Sequence, residues 1–261
     1  MKKLLALLLA VAMVLSLVAC TKTPTTEPTA KPTAGEPAAA MGPSSIAVCL
    51  ASEPDTIDPA LNSAVDGATL VAHLFSGLAK WDQDENGALV IAPDAAKELV
   101  EGVVNEDGTV TYTYTLRDGL KWSDGKDVTA ADFEYAWKRA ASTALGADYG
   151  YMFEVVKGYP DELAVKALDE KTLEVTLANS VAYWNELLAF PTYFPVREDV
   201  VANEAWATDA STYVSNGAYK MTGWEHNSVI TLEKNPDFVD ADQITMDKIE
   251  FYLSDEANNM L

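Results

Sequence analysis

Residues 109–116 (TVTYTYTL) alternate strictly between apolar and polar positions, the pattern of a half-exposed strand built from β-branched and aromatic residues. The preceding Asn105-Glu106-Asp107-Gly108 is turn chemistry. Runs at 46–51, 219–224, 229–233 and 249–253 also read as strands, 78–81 as a short one, and 164–178 as two strands joined at Asp169-Glu170-Lys171. A helical period marks 67–78, where Leu70, Leu74 and Leu78 recur every four residues beside Val71 and Phe75. From Thr129 the pattern predicts another helix, with Thr129 as N-cap, Asp132 in the first turn and Phe133, Ala136, Trp137 and Ala140 as the buried stripe. Short helices are predicted at 92–100, with Pro93 near its start, and at 181–190, ended by Pro191. Pro54 and Pro59 hold SEPDTIDPALNSAVDG in an extended, turning path. Helices mixed with many short strands, without internal repeats, predict an α/β fold.

The start of the chain has a different pattern. After Met1-Lys2-Lys3, residues 4–18 are apolar except for Ser16. A basic start and an apolar run of this length fit a secretory leader, and the run is short of the roughly 20 residues that span a bilayer. It ends Leu17-Val18-Ala19-Cys20, which resembles the bacterial lipobox. That resemblance implies cleavage before Cys20 and a lipid on its sulfur, anchoring the protein to the outer face of the cell membrane. Residues 21–45 are rich in Thr, Pro, Ala and Gly and lack apolar periodicity, so they read as a tether that buries too little surface to fold.

Charge narrows the partners. The chain carries a net charge of -22, and residues 46–261 hold 14 basic against 38 acidic residues. So acidic a surface argues against nucleic acid and against direct binding to anionic lipid. With Cys20 assigned to lipid, Cys49 has no partner and reads as an inert core thiol in the apolar run SIAVCLA, which reads as a buried strand. His73 and His226 have no Cys/His cluster beside them, so no metal site and no cofactor is expected. Asp82-x-Asp84-x-Asn86-Gly87 opens like a calcium loop, but Pro93 stands where the bidentate Glu belongs, and a β-turn at Asn86-Gly87 is the better reading. Asp55 and Asp58 read as caps of turn amides rather than as a catalytic pair. Tyr149, Tyr151 and Phe153 alternate, either as one packed face or as aromatic walls of a cleft.

Residues 112–139 (YTYTLRDGLKWSDGKDVTAADFEYAWKR) closely resemble the signature of the family 5 extracellular solute-binding proteins, the oligopeptide- and dipeptide-binding group. Leu116 and Arg117 end a strand. Trp122, Asp124 and Gly125 form a turn, and Val128, Thr129, Ala130, Asp132 and Phe133 open a helix, as in that family. SEPDTIDP (52–59), VKALDEKTLEVTL (165–177), NGAYKMTGW (216–224) and ITLEKNPDF (230–238) resemble further family segments in the same order.

The resemblance implies a periplasmic-binding-protein-like, two-lobed receptor of the class with an extra inserted domain. The first lobe would comprise 46–75 and 198–261, the inserted domain 76–197, and the second ligand-binding lobe would lie beyond residue 261. Ligand contacts carried over by position are Ser63 and Val65, in the loop after the Asp-Pro turn, and Tyr149. The expected function is capture of oligopeptides outside the cell and delivery to the permease subunits of an ABC importer, by a monomer without catalysis. Dipeptides, metal chelates or glycans as ligands, a peptide sensor, and a cell-wall hydrolase are the alternatives.

Overall fold

A computed structural model of the protein describes residues 44–254. The expected leader, Cys20 and the expected tether up to residue 43 lie outside them. In chain order the elements are β1 (Ser45–Leu50), α1 (Val65–Leu74), β2 (Ala79–Gln83), β3 (Leu89–Pro93), β4 (Val103–Val104), β5 (Val110–Thr115), α2 (Ala130–Ala141), β6 (Val165–Ala167), β7 (Thr172–Leu177), α3 (Trp184–Leu188), α4 (Glu198–Val201), β8 (Tyr219–Glu225), β9 (Val229–Lys234) and β10 (Lys248–Leu253). Single 3-10 turns occupy Gly150–Val155, Pro191–Tyr193 and Ala241–Gln243. Among the described residues no helix is long and apolar enough to cross a membrane.

One sheet has the order β1-β10-β9-β8. β8, β9 and β10 form an antiparallel meander, and β1 joins β10 in parallel, with Ser45 opposite Lys248 and Leu50 opposite Leu253. Alternation sends Ile230, Leu232, Ile249, Phe251 and Leu253 inward. α1 lies against this sheet. Its stripe of Leu70, Val71 and Leu74 is buried, and the His73 ring meets Tyr219 and Phe251 at 6.0 and 5.5 Å.

The other four-stranded sheet, β4-β5-β7-β6, is antiparallel throughout. It packs on α2, whose predicted stripe is buried in full. The helix starts where the sequence sets it. Thr129 is the N-cap, and the Asp132 carboxylate accepts the Thr129 N–H at 2.8 Å, closing a capping box. Trp137 is the centre of this core. Its ring lies edge-on to Tyr193 and Trp184 at 5.2 and 6.1 Å, and its Nε1 donates to the Tyr193 carbonyl at 2.7 Å. Trp184 Nε1 donates to the Tyr114 hydroxyl at 2.9 Å. Both large aromatics are thus buried with their polar atoms satisfied.

Four expectations need correction. No helix forms at 92–100. Asp84 Oδ1 accepts the N–H groups of Asn86 and Ala88, Gly87 takes φ +78, and the tight turn draws 89–93 back onto β2 as a hairpin. The chain then runs beside β5, with Lys97 N–H donating to the Thr115 carbonyl at 2.8 Å. The helix expected over 181–190 is only the short α3 followed by a 3-10 turn at Pro191. α1 ends at Leu74 rather than 78 because the Gly217 N–H takes the Leu74 carbonyl at 2.8 Å. A Cβ on Gly217 would sit 2.5 Å from the Leu74 carbonyl carbon, so only glycine allows this approach. Finally, Cys49 is exposed, because β1 is an edge strand of its sheet and only Leu50 at its end is fully buried.

Ser76 ties α1 to the strands that follow. Its N–H and carbonyl pair with the Asn216 side chain at 3.0 and 2.9 Å, and its hydroxyl donates to the Asp94 carboxylate. Burial raises the Asp94 pKa, against the opposing pull of the Ser76 bond and of Lys80 and Arg117. A carboxyl raised on folding favours the folded state below its unfolded value near 3.8 and loses that contribution as pH rises through the folded one. Asp94→Asn cannot ionise. Its melting temperature relative to the wild type is expected to improve from pH 3.5 to pH 7 in a calorimetric series, and a difference independent of pH would refute the assignment.

Candidate ligand-binding site

The loop between β1 and α1 is held from several sides. Asp58 is buried. Its Oδ1 accepts the Ala60 N–H at 3.0 Å and Arg139 Nη1 at 3.0 Å, and its Oδ2 accepts Arg139 Nη2 at 2.6 Å. The Tyr213 hydroxyl donates to the Ile57 carbonyl at 2.7 Å. Gly67 packs so closely on Asn62 and the Thr56 carbonyl that no Cβ fits. Asp58 thus caps its turn, as the sequence suggests, and also anchors the loop to α2. Asp55 sits at the surface.

The three positions singled out in the sequence converge. Ser63, Val65 and Tyr149 line one concavity of about 170 Å³ together with Ala68, Phe190 and Pro191. Ser63 Oγ donates to the Asp148 carboxylate at 2.7 Å, joining the loop to a segment 85 residues further along the chain. Tyr149 meets Phe190 edge-to-face at 5.0 Å, and this pair forms one wall. Val65, at the first position of α1, is 85% exposed beside the opening. The alternating aromatics do not share a face, because 150–155 is a 3-10 turn rather than a strand. Phe153 is buried against Trp137 and Tyr193, Tyr151 points to solvent, and Tyr149 goes to the cavity.

Sequence reasoning missed Asp148, Phe190 and Pro191. The proline ending a short helical pattern was visible, but its return to the β1–α1 loop is a tertiary fact.

The signature residues lie elsewhere. Leu116, Trp122 and Phe133 are buried. Asp132 accepts from Thr129 and from Trp122 Nε1 at 3.3 Å, with a pKa raised by burial. Arg117 pairs with both carboxylate oxygens of Asp240 at 2.6 Å, and that charge-assisted pair holds the Asp240 pKa down. The signature therefore builds the scaffold on which the cavity rests.

The family description "Bacterial extracellular solute-binding proteins, family 5 Middle" matches residues 90–261. This chain belongs to the family 5 bacterial extracellular solute-binding proteins. Among family 5 relatives, the oligopeptide-binding protein OppA of Bacillus subtilis is 38% identical over 232 residues, covering 84% of this chain and 41% of the relative. The dipeptide-binding protein DppE of Bacillus subtilis is 34% identical over 217 residues, 79% of this chain and 38% of the relative. The structure of Listeria monocytogenes OppA bound to peptide superposes with a TM-score of 0.74 at 31% identity, covering 84% of this chain and 44% of that one. The chain thus spans about two fifths of the length of the family 5 proteins it matches, and over that span it has their fold.

Proposed function

We propose that this chain is the N-terminal part of an extracytoplasmic receptor that captures oligopeptides and delivers them to the permease of an ABC importer. The observation that carries the reading is the convergence of the Ser63–Val65 loop and Tyr149, well separated in sequence, on one apolar concavity whose loop is anchored by the buried Asp58–Arg139 pair. Relatives named for oligopeptide binding and a peptide-bound structure of one of them support it. Peptide main chain would lie along the loop backbone, which tolerates varied side chains.

In this reading, residues 46–75 and 198–261 form the first lobe and 76–197 the inserted domain. The parallel pairing of β1 with β10, and a separate sheet drawn wholly from 103–177, support that partition. A second lobe would close over the ligand by a hinge motion. The receptor acts without catalysis. Asp58, Asp94 and Asp132 are all engaged in structural hydrogen bonds, which supports that reading. A lipid on Cys20 would hold the monomer at the outer face of the cell membrane.

Native mass spectrometry of the protein purified from the cells that make it tests the reading. The expected result is a heterogeneous added mass that resolves into short peptides on denaturation. A single uniform added mass would point instead to a dipeptide, chelate or glycan, and turnover of an offered peptide or glycan would replace the receptor reading with an enzyme.

A further inference from the structure

We propose that the concavity between the β1–α1 loop and Tyr149 selects an apolar side chain up to about phenyl size and rejects an acidic one. The inference rests on the peptide-receptor reading and deepens it, because it names the residue that one subsite takes.

Size sets the first limit. The concavity measures about 170 Å³. An apolar cavity of roughly 150 Å³ accommodates benzene, so isobutyl, sec-butyl, thioether and phenyl groups fit this one. Chemistry sets the second limit. Methyl groups of Val65 and Ala68, the Tyr149 and Phe190 rings and Pro191 supply the walls, and among the described residues no Lys, Arg or His lines them.

Two of the polar side chains are already committed, and among the described residues the Tyr149 hydroxyl is the uncommitted one. The Ser63 hydroxyl donates to Asp148, and Asn62 Nδ2 donates to the Ala64 carbonyl at 3.1 Å. A ligand carboxylate placed here would shed its hydration for at most the Tyr149 hydroxyl, with no cation beside it, and it would approach the Asp148 carboxylate. An apolar group loses nothing comparable, and it covers Val65, whose methyl groups otherwise face water. The wall is also set in advance, since Tyr149 and Phe190 already hold each other edge-to-face and the Ser63–Asp148 bond fixes the rim. Little ordering is left for binding to impose.

Pentaalanine and its single-leucine and single-aspartate variants, offered to the ligand-stripped full-length protein, form the test. One position is expected to bind leucine about 10- to 60-fold tighter than alanine, the range for burying three methylene equivalents, and aspartate more weakly than alanine. Ala68→Phe, which fills the cavity, is expected to bring that leucine-to-alanine ratio close to one. Val65→Asp, at an exposed position that folding does not depend on, is expected to lower the same ratio. Peptide binding with no position preferring leucine, or a leucine preference unchanged in both variants, would overturn the inference and leave the receptor reading standing. Failure of every peptide to bind would overturn the receptor reading and this inference with it.

Discussion

Replacing Arg139 by alanine is expected to destabilise the protein by about 3–5 kcal/mol, read from urea or thermal unfolding of the full-length protein. The magnitude follows from what is left behind. The Asp58 side chain is only 3% exposed, and among the described residues Arg139 is its one cationic partner, through hydrogen bonds of 3.0 and 2.6 Å. Without the guanidinium, a buried carboxylate keeps one backbone donor, the Ala60 N–H, and its charge is left uncompensated. Asp58→Asn combined with Arg139→Met should lose less than Arg139→Ala alone, since neither partner then carries an uncompensated charge. A loss below about 1 kcal/mol in Arg139→Ala would mean that the 54–62 loop opens to solvent at little expense. The loop would then not be the rigid rim that the proposed ligand cavity requires.

Trp137→Ala is expected to cost about 3–5 kcal/mol by the same measurement. The indole is fully buried, so its removal leaves a cavity bounded by Phe153, Trp184 and Tyr193, rings that already hold one another and can collapse only partly. The Tyr193 carbonyl also loses its donor. Trp137→Phe keeps most of the volume and should cost distinctly less. Trp81→Ala is the useful contrast. That ring is 55% exposed on the β2–β3 hairpin, and its loss should fall within about 0.5 kcal/mol.

The two tryptophans also show how far the sequence could be read. Trp137 falls on the apolar stripe of a helix whose cap, first-turn acid and period all agree, and those local signals were not contradicted by packing. The alternation of 109–116 survives as β5, and the runs at 219–224, 229–233 and 249–253 survive as β8, β9 and β10. Where local signals conflict, tertiary pairing decides. Residues 92–100 carry helix-forming Ala, Lys, Glu and Leu, yet the Asn86-Gly87 turn commits the preceding residues to a hairpin. Cys49 sits in a run that reads as buried, and no periodicity reveals that its strand lies at an edge.

For the site, the resemblance supplied Ser63, Val65 and Tyr149 by position. Their apolar wall, contributed by Ala68, Phe190 and Pro191, depends on three chain segments meeting in space. Nothing local singles out Asp148, and its bond to Ser63 is visible only in three dimensions.

The parallel pairing of β1 with β10 has a consequence for how the molecule is made. Ser44 meets Asp247, 203 positions further along the chain, so the first strand must wait for a distant partner. During that wait the β4–β7 sheet and α2, whose contacts span fewer residues, can assemble. β1 spends that interval as an unpaired edge carrying Ile46, Val48 and an exposed thiol, a segment open to wrong pairing. Its register is secured only when the last strand of the meander arrives. The rate at which this protein reaches its native state should therefore be governed by that single late closure rather than by the helix and sheet that dominate its core.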